Sequence, residues 1–440
     1  MEPREDGPRA LEGAKRVARL LDIAARIGAR PKAWTRRMLA RTFWIGERRI
    51  QQDLELACPG GPRGGGGRRR RASSDSREGW NVSRFSAHRL SFECRVESPI
   101  LLGEQQGSAI RGALFHALRG RRERPGFCVE PGRQDCRGCR MLAGCPVSFL
   151  LATVDEAGRR GADVPRPYTV EPPLGASPRY EPGEPFRFGL TVFARALALF
   201  PYVVVAARRL EEEGIGRRSL DGQGRWRPGR FRIERIVAVN PLTGEGQVVL
   251  QRGDDLVSVP SLPVTHEQVL ARSRRIAEGW GLRPVGQLGV EFLTPTRVVD
   301  GGRDLRRPAF RPLFQRLVER LSSLWEEYGR EELPIDFGDL MARAEGVRLV
   351  ADGTRWLEVR GYSTRQGAPK YLSGFVGRAA YEGDLGVLLP WLVWGELTHV
   401  GKDAVKGCGL YRVEGPPAMN GAHEPEGRGC GTCCRPETGP

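Results

Sequence analysis

Residues 371–413 read YLSGFVGRAAYEGDLGVLLPWLVWGELTHVGKDAVKGCGLYRV. The opening alternates as a strand does, with Phe375, Ala379 and Tyr381 separated by small or polar residues, and Gly383-Asp384 is a turn signal ahead of an apolar run. That run carries Leu385, Leu388, Leu389, Leu392 and Val393 at three-and-four spacing. The spacing predicts a helix over roughly 384–399 with one face on a sheet, Pro390 standing at a kink or in the first turn. Gly401-Lys402 and Gly407-Cys408-Gly409 follow, then a short strand over 410–413. Glycines so placed let a backbone approach a bulky anion, and Lys402 and Lys406 add charge, so the loop is expected to hold phosphate. A tight turn before an edge strand accounts for the same glycines.

Outward from this stretch, the order of small motifs is informative. Tyr362, Ser363, Arg365 and Gln366 precede Gly374-Phe375-Val376-Gly377; then come Gly395, Glu396, His399, Val400, Gly401 and Lys402, and finally Gly407 and Gly409. This succession resembles the C-terminal part of the CRISPR-associated repeat-RNA processing endoribonucleases of the RAMP superfamily. The resemblance extends over roughly residues 85–413 and implies two tandem ferredoxin-like domains with an RNA-sized cleft between them. It also implies metal-independent cleavage, in which a ribose 2′-hydroxyl attacks its own phosphate to leave a 2′,3′-cyclic phosphate and a 5′-hydroxyl. CRISPR repeat RNA is the expected partner, and subunits of a CRISPR effector complex are further ones.

Composition agrees with a polyanionic partner. The chain has 440 residues and a formal net charge of +17, and its 40% hydrophobic content suffices for two or three cores. The longest apolar run, Ala196 to Ala207, carries Pro201 and is too short to span a bilayer, so no membrane is expected. The N-terminus lacks a signal-peptide core, which makes cytoplasmic residence the expectation. Residues 1–79 hold 19 Lys/Arg against 10 Asp/Glu, a net of +9, more than half of the total.

Val17, Leu20, Leu21, Ala24 and Ile27 share one helical face; Thr35 caps a second helix with Met38, Leu39 and Phe43; a third carries Ile50 and Leu54. Residues 1–57 are therefore expected to form a small all-α domain. The third helix resembles the recognition helix of DeoR- and WYL-type helix-turn-helix regulators, keeping Glu47, Arg48, Ile50, Asp53 and Leu54. On that resemblance Arg48, Arg49, Gln51 and Gln52 face duplex DNA. A Gly/Arg-rich linker follows over 58–83, where the wing of such a domain is missing.

The first ferredoxin-like domain is expected over 84–245: strand 84–96, helix 108–119, strand 148–154, a Pro-rich loop over 165–185, strand 186–193, helix 197–213 and strand 231–239. The stretch between its second helix and last strand resembles the family's first glycine-rich crossing and brings Arg217 and Arg218, with Arg225 and Arg227, to a candidate RNA surface; a long flexible hairpin accounts for the same residues. The second domain, over 246–415, is expected to place a strand at 286–296, a helix at 314–328 and a hairpin at 347–359 before the unit quoted first. Residues 416–440 are an expected disordered tail containing Cys430, Cys433 and Cys434. The whole is an α+β chain.

Two constellations carry chemistry. Cys128, Cys136, Cys139 and Cys145 put four thiols within eighteen residues, a pattern suited to a tetrahedral structural zinc, with an iron–sulfur cluster as the alternative using the same ligands. With four protein ligands no position is open to water, so the site is expected to be scaffold rather than catalyst, and the resemblance implies that catalysis needs no metal. For RNA cleavage, the five histidines are the natural acid and base candidates. His116 lies on the outer flank of the first helix, where the resemblance implies a catalytic histidine. His399 stands beside the glycine-rich loop as its partner or as a helix cap, and Lys402 joins them. Arg111, Lys402 and Lys406 are the cations expected on phosphate; His88, His266 and His423 have weaker claims. Arg365 and Gln366, with Gly401, Gly407 and Gly409 in the loop, complete the RNA-contact set. A protein that only holds RNA while its N-terminal helices bind DNA has the same features and is the alternative.

Overall fold

The computed structural model describes residues 85–120, 126–128, 136, 139, 145–152, 164–175, 177–221, 223–254, 256–282, 285–333, 335–363 and 368–415. The expected helices of 1–57 with Arg48, Arg49, Gln51 and Gln52, the linker and the tail lie outside the described residues.

The first unit runs β1 (Ser86–Val96), β2 (Ile100–Leu101), α1 (Gln106–Arg119), β3 (Tyr168–Glu171), β4 (Arg179–Tyr180), β5 (Pro185–Phe193), α2 (Phe200–Glu213), β6 (Ile215–Leu220), β7 (Trp226–Gly229), β8 (Phe231–Val239) and β9 (Gly246–Gln251). Its main sheet is antiparallel in the order β3-β5-β1-β8-β9. Without the added edge β9 this is the ferredoxin-like order, the β-α-β unit being repeated. Alternation along β1 explains the layering. Leu90, Phe92, Cys94 and Val96 are buried, and they meet Ile110, Leu114 and Leu118 of α1 and Val203, Ala206 and Leu210 of α2 in one core. Arg89, Ser91, Glu93 and Arg95 occupy the other face of the strand.

After β10 (Val264–Thr265), which pairs with β1, the second unit runs α3 (His266–Gly279), β11 (Gly286–Thr296), β12 (Val299–Asp300), β13 (Arg303–Asp304), α4 (Phe310–Leu324), α5 (Phe337–Glu345), β14 (Arg348–Leu357), β15 (Arg360–Ser363), β16 (Ala368–Tyr371), β17 (Gly374–Gly383), α6 (Leu389–Thr398) and β18 (Tyr411–Glu414). Its sheet has the order β14-β17-β11-β18, the same antiparallel topology. The chain is thus two tandem ferredoxin-like units. No helix among the described residues is long and apolar enough to cross a membrane.

Helix α6 is shorter than its periodicity predicts. Leu385 to Leu388 form a hydrogen-bonded turn, and Pro390 stands in the first turn of a helix that begins at Leu389. It is also buried all round rather than on one face: Trp391, Leu392, Val393, Trp394 and Leu397 are covered by α3, α4 and β18, and on the remaining side by β3 of the first unit. Thr169 Oγ1 of β3 donates to Leu397 O at 2.9 Å. Phe85, at the start of the first unit, stacks on Trp325 at 4.0 Å and meets the edge of Trp394 at 5.3 Å. Tyr328 donates its hydroxyl to Pro165 O at 2.6 Å, and Arg195 pairs with Glu327 at 3.0 Å. The two units therefore share a core.

Three expectations are corrected. Ser148–Ala152 is a π-helical turn, because Val147, Leu150 and Leu151 all pack inward; the second strand of the first unit is instead Tyr168–Glu171, inside the Pro-rich stretch. Residues 348–357 form one strand, not a hairpin, and pair with β17. Residues 246–251 pair with β8 and so extend the first sheet past residue 245.

Candidate functional site

The glycine-rich loop lies where the units meet. Backbone bonds from Lys402 N to Arg297 O (2.9 Å), Val400 N to Gly409 O (3.0 Å) and Gly409 N to Pro295 O (3.0 Å) fold it onto the end of β11. Gly409 has φ +73 and a Cβ there would stand 1.8 Å from Val400 O. Gly401 has φ +80, with Arg297 O 2.3 Å from the same position. These glycines serve the loop's approach to its own domain. Gly407 and Gly409 are buried, so as backbone contacts to RNA they are withdrawn from solvent.

Across the unit boundary, the loop presses on the start of α1. A Cβ on Gly107 would meet Lys406 O at 2.2 Å, and Val405 packs against the first core. Arg111 follows one turn later. Its guanidinium carbon stands 5.3 Å from the Phe115 ring centre, and that of Arg119 stands 5.6 Å from the same ring. Arg111 Nε is buried with no partner among the described residues. His116 is exposed beside this stripe, its ring at 5.4 Å from Phe115 in an edge contact. His116 stands nine positions along the helix from Gly107, roughly 13 Å along the axis. The structure thus brings Arg111 beside the loop and leaves His116 at the far end of the helix, with Arg119.

His399 is corrected as a catalytic candidate. It is 2% exposed, its backbone N–H closes α6 on Gly395 O, and Nδ1 lies 3.2 Å from Cys408 O. Burial, with the neighbouring Arg320 charge, holds its pKa down at about 3. A ring so enclosed is a neutral helix cap. His88 is likewise buried and pulled down to about 4 by burial. His266, half-buried, accepts from Trp394 Nε1 at 3.1 Å and stacks on Trp391, which ties its ring to the edge of the core. His423 lies outside the described residues.

Of the expected cations, Lys402 is exposed, while Lys406 is half-buried and paired with Asp403 at 3.1 Å, which cancels much of its charge. Arg217 and Arg218 are exposed on the β6–β7 hairpin, which touches β2 and α1. Arg225 and Arg227 in the same hairpin both reach Asp221 at 3.4 Å. Leu220 and Trp226, directly opposite one another, are 59% and 63% exposed. Trp226 stands outside the expected contact set, though the sequence carries a signal for an exposed ring there, an aromatic between two arginines in a Gly-rich turn. Arg365 and Gln366 lie outside the described residues.

A second basic surface had no sequence signal. On the open face of the first sheet a cavity of about 560 Å³ is lined by Arg95, Arg187, Arg232, Arg235 and Arg252, with Glu93 and Glu234. Arg95 comes from β1, Arg187 from β5, Arg232 and Arg235 from β8 and Arg252 from the turn after β9, and strand pairing collects them.

Cys128, Cys136, Cys139 and Cys145 are each half-buried, with Cys139 N donating to Cys136 O at 3.2 Å. Burial first, and then the neighbouring thiols, push the Cys136 thiol up. Among the described residues no group of three or more ligating side chains is drawn together to metal-binding geometry.

Comparison with known proteins follows these two units. Residues 85–262 match a family model described as an N-terminal domain. No protein of the curated set matches the chain. Among solved structures, a Cas6 product complex is 17% identical, covering 75% of this chain and 99% of that one with a TM-score of 0.42. A Thermus thermophilus Cas6 is 16% identical with the same coverage and a TM-score of 0.41. A partial Cas6-RT-Cas1–Cas2 complex is 12% identical, covering 78% and 48% with a TM-score of 0.48. The match that bears on function is in the second unit, where residues 290–411 are similar to the family of the CRISPR-associated endoribonuclease Cas6.

Proposed function

We propose that the protein is a CRISPR repeat-RNA endoribonuclease, cutting by attack of a ribose 2′-hydroxyl on the adjacent phosphate. The observation that carries this is the outer face of α1, where Arg111, Phe115, His116 and Arg119 form one stripe running away from the junction of the two ferredoxin-like units. The match of residues 290–411 to an endoribonuclease family supports it.

In this scheme His116 moves the proton at the reacting oxygen, as base toward the 2′-hydroxyl or as acid toward the leaving 5′-oxygen. Arg119, one turn from His116, meets the charge that develops on the phosphorane. Arg111 and Lys402 hold phosphates further along the strand, and the β6–β7 hairpin supplies Arg217, Arg218 and the Trp226 ring. Cleavage of labelled repeat RNA should persist in EDTA and vanish with a 2′-deoxy sugar at the cut site. His116→Ala should lower the cleavage rate by about 10²–10⁴ and leave RNA affinity unchanged. Equal cutting by both proteins removes His116 from the mechanism. Binding without cutting by either one favours an RNA-holding regulator, a reading to which the burial of His399 adds weight by leaving α1 a single exposed imidazole.

The same proposal includes a structural zinc on Cys128, Cys136, Cys139 and Cys145, holding the insertion after α1. Elemental analysis should find about one zinc per chain, lost in Cys136→Ser. A wild-type protein free of zinc and iron ends this part of the proposal.

A further inference from the structure

Between the units, away from the face of α1, a cavity of about 430 Å³ opens with Pro165 on one wall and Arg297, Arg316, Glu319, Arg320 and Lys402 on the others. Its charges do not balance. Arg297 pairs with Asp304 at 2.8 Å and Arg316 with Glu319 at 2.7 Å, while Arg320 and Lys402 have no carboxylate among the described ion pairs. Four cations face two carboxylates.

Arg320 is the telling member. Nε donates to Thr398 O at 2.8 Å, the end of α6, which fixes the guanidinium plane. Nη2 is buried and has no partner among the described residues. A guanidinium stays charged at any ordinary pH; burial brings this one down only to about 10. A buried charge with an unused donor calls for a counter-anion, and the fork of N–H groups matches the oxygens of a phosphate. Lys402, exposed at the rim, adds a further cation. The cavity lies within the roughly 300–1,000 Å³ typical of sites that enclose a small ligand.

We propose that this cavity is a phosphate-binding site that anchors one phosphate group of a bound nucleic-acid strand, separate from the face that carries His116. Its source in a strand rests on the RNA reading above; the phosphate chemistry itself does not.

The test uses the full chain and inorganic phosphate as the first probe, read by calorimetry and by the melting temperature. Phosphate should bind the wild type and raise its melting temperature. Arg320→Met should bind phosphate at least about tenfold more weakly, the loss of one charge-assisted donor pair. Lys402→Gln, at an exposed position that leaves the fold intact, should weaken it as well. A wild type that binds no phosphate overturns the proposal, as does Lys402→Gln together with a folded Arg320→Met binding as tightly as the wild type. In a second arm, repeat RNA should compete with phosphate, and Lys402→Gln should lower the slope of log affinity against log salt by about 0.7. If phosphate binds but RNA does not displace it, the strand as source is overturned and a free phosphate compound takes its place. Because every readout is binding, a protein that fails to cut RNA still answers the question.

Discussion

His399 ends its helix at φ +60, a region that a β-carbon disfavours, and its ring bonds to Cys408 O in a space closed to solvent. The unfolded chain takes up a proton on this ring near pH 6.5, whereas the folded ring resists until about 3. Protons therefore favour the unfolded state between those values. The contribution is intact above pH 6.5 and shrinks as pH falls, by about 2 kcal/mol at pH 5. His399→Gln should flatten the fall in melting temperature between about pH 7 and 5, measured against the wild type. Parallel profiles would show that the ring titrates normally. At this scale the sequence marked the residue and offered two roles, catalytic partner or helix cap, without deciding between them. Proximity to a glycine-rich loop suggested chemistry, whereas burial depends on α6 and the loop closing over it, which no local spacing reveals.

At the scale of elements, exposed side chains of the β6–β7 hairpin carry the clearest consequence. Trp226 and Leu220 cover no core, so their removal should not move the melting temperature. Trp226→Ala should weaken binding of single-stranded repeat RNA by about 1–3 kcal/mol if a base stacks there. Unchanged affinity in a titration would leave the hairpin to its arginines alone. Strand and helix identities were largely legible, since β1, β5, β8 and β11 alternate and α1 and α4 keep a three-and-four stripe. Two kinds of element were not. A run such as Ser148–Ala152 is apolar without a readable period, and the apolar surround of α6 reflects a second unit lying on it.

For the whole molecule, the shared core means that neither unit is a free module. Phe85, Ala87, Phe193 and Val264 of the first sheet lie in the second core. Phe85→Ala, which empties the stack against Trp325, should cost about 3–5 kcal/mol. By calorimetry, residues 85–415 should melt in a single transition in both the wild type and the variant. Two separate transitions in the wild type would deny the shared core. The tandem arrangement was legible because its motifs recur in order, and the net charge pointed to a polyanion. The sites were less so. The Arg320 cavity and the arginine-lined sheet face gather residues from distant segments, and a linear pattern holds no trace of that gathering.

Gly107 sits against Lys406 O and His116 lies nine residues further on, with unbroken helix between them. A stiff rod fixed at one end measures length. If a strand is gripped at the loop and cut at the histidine, the cut falls at a set count of nucleotides from the grip, whatever their bases. The product would then be defined by helical rise, as a stop on a saw bench defines the length of a board.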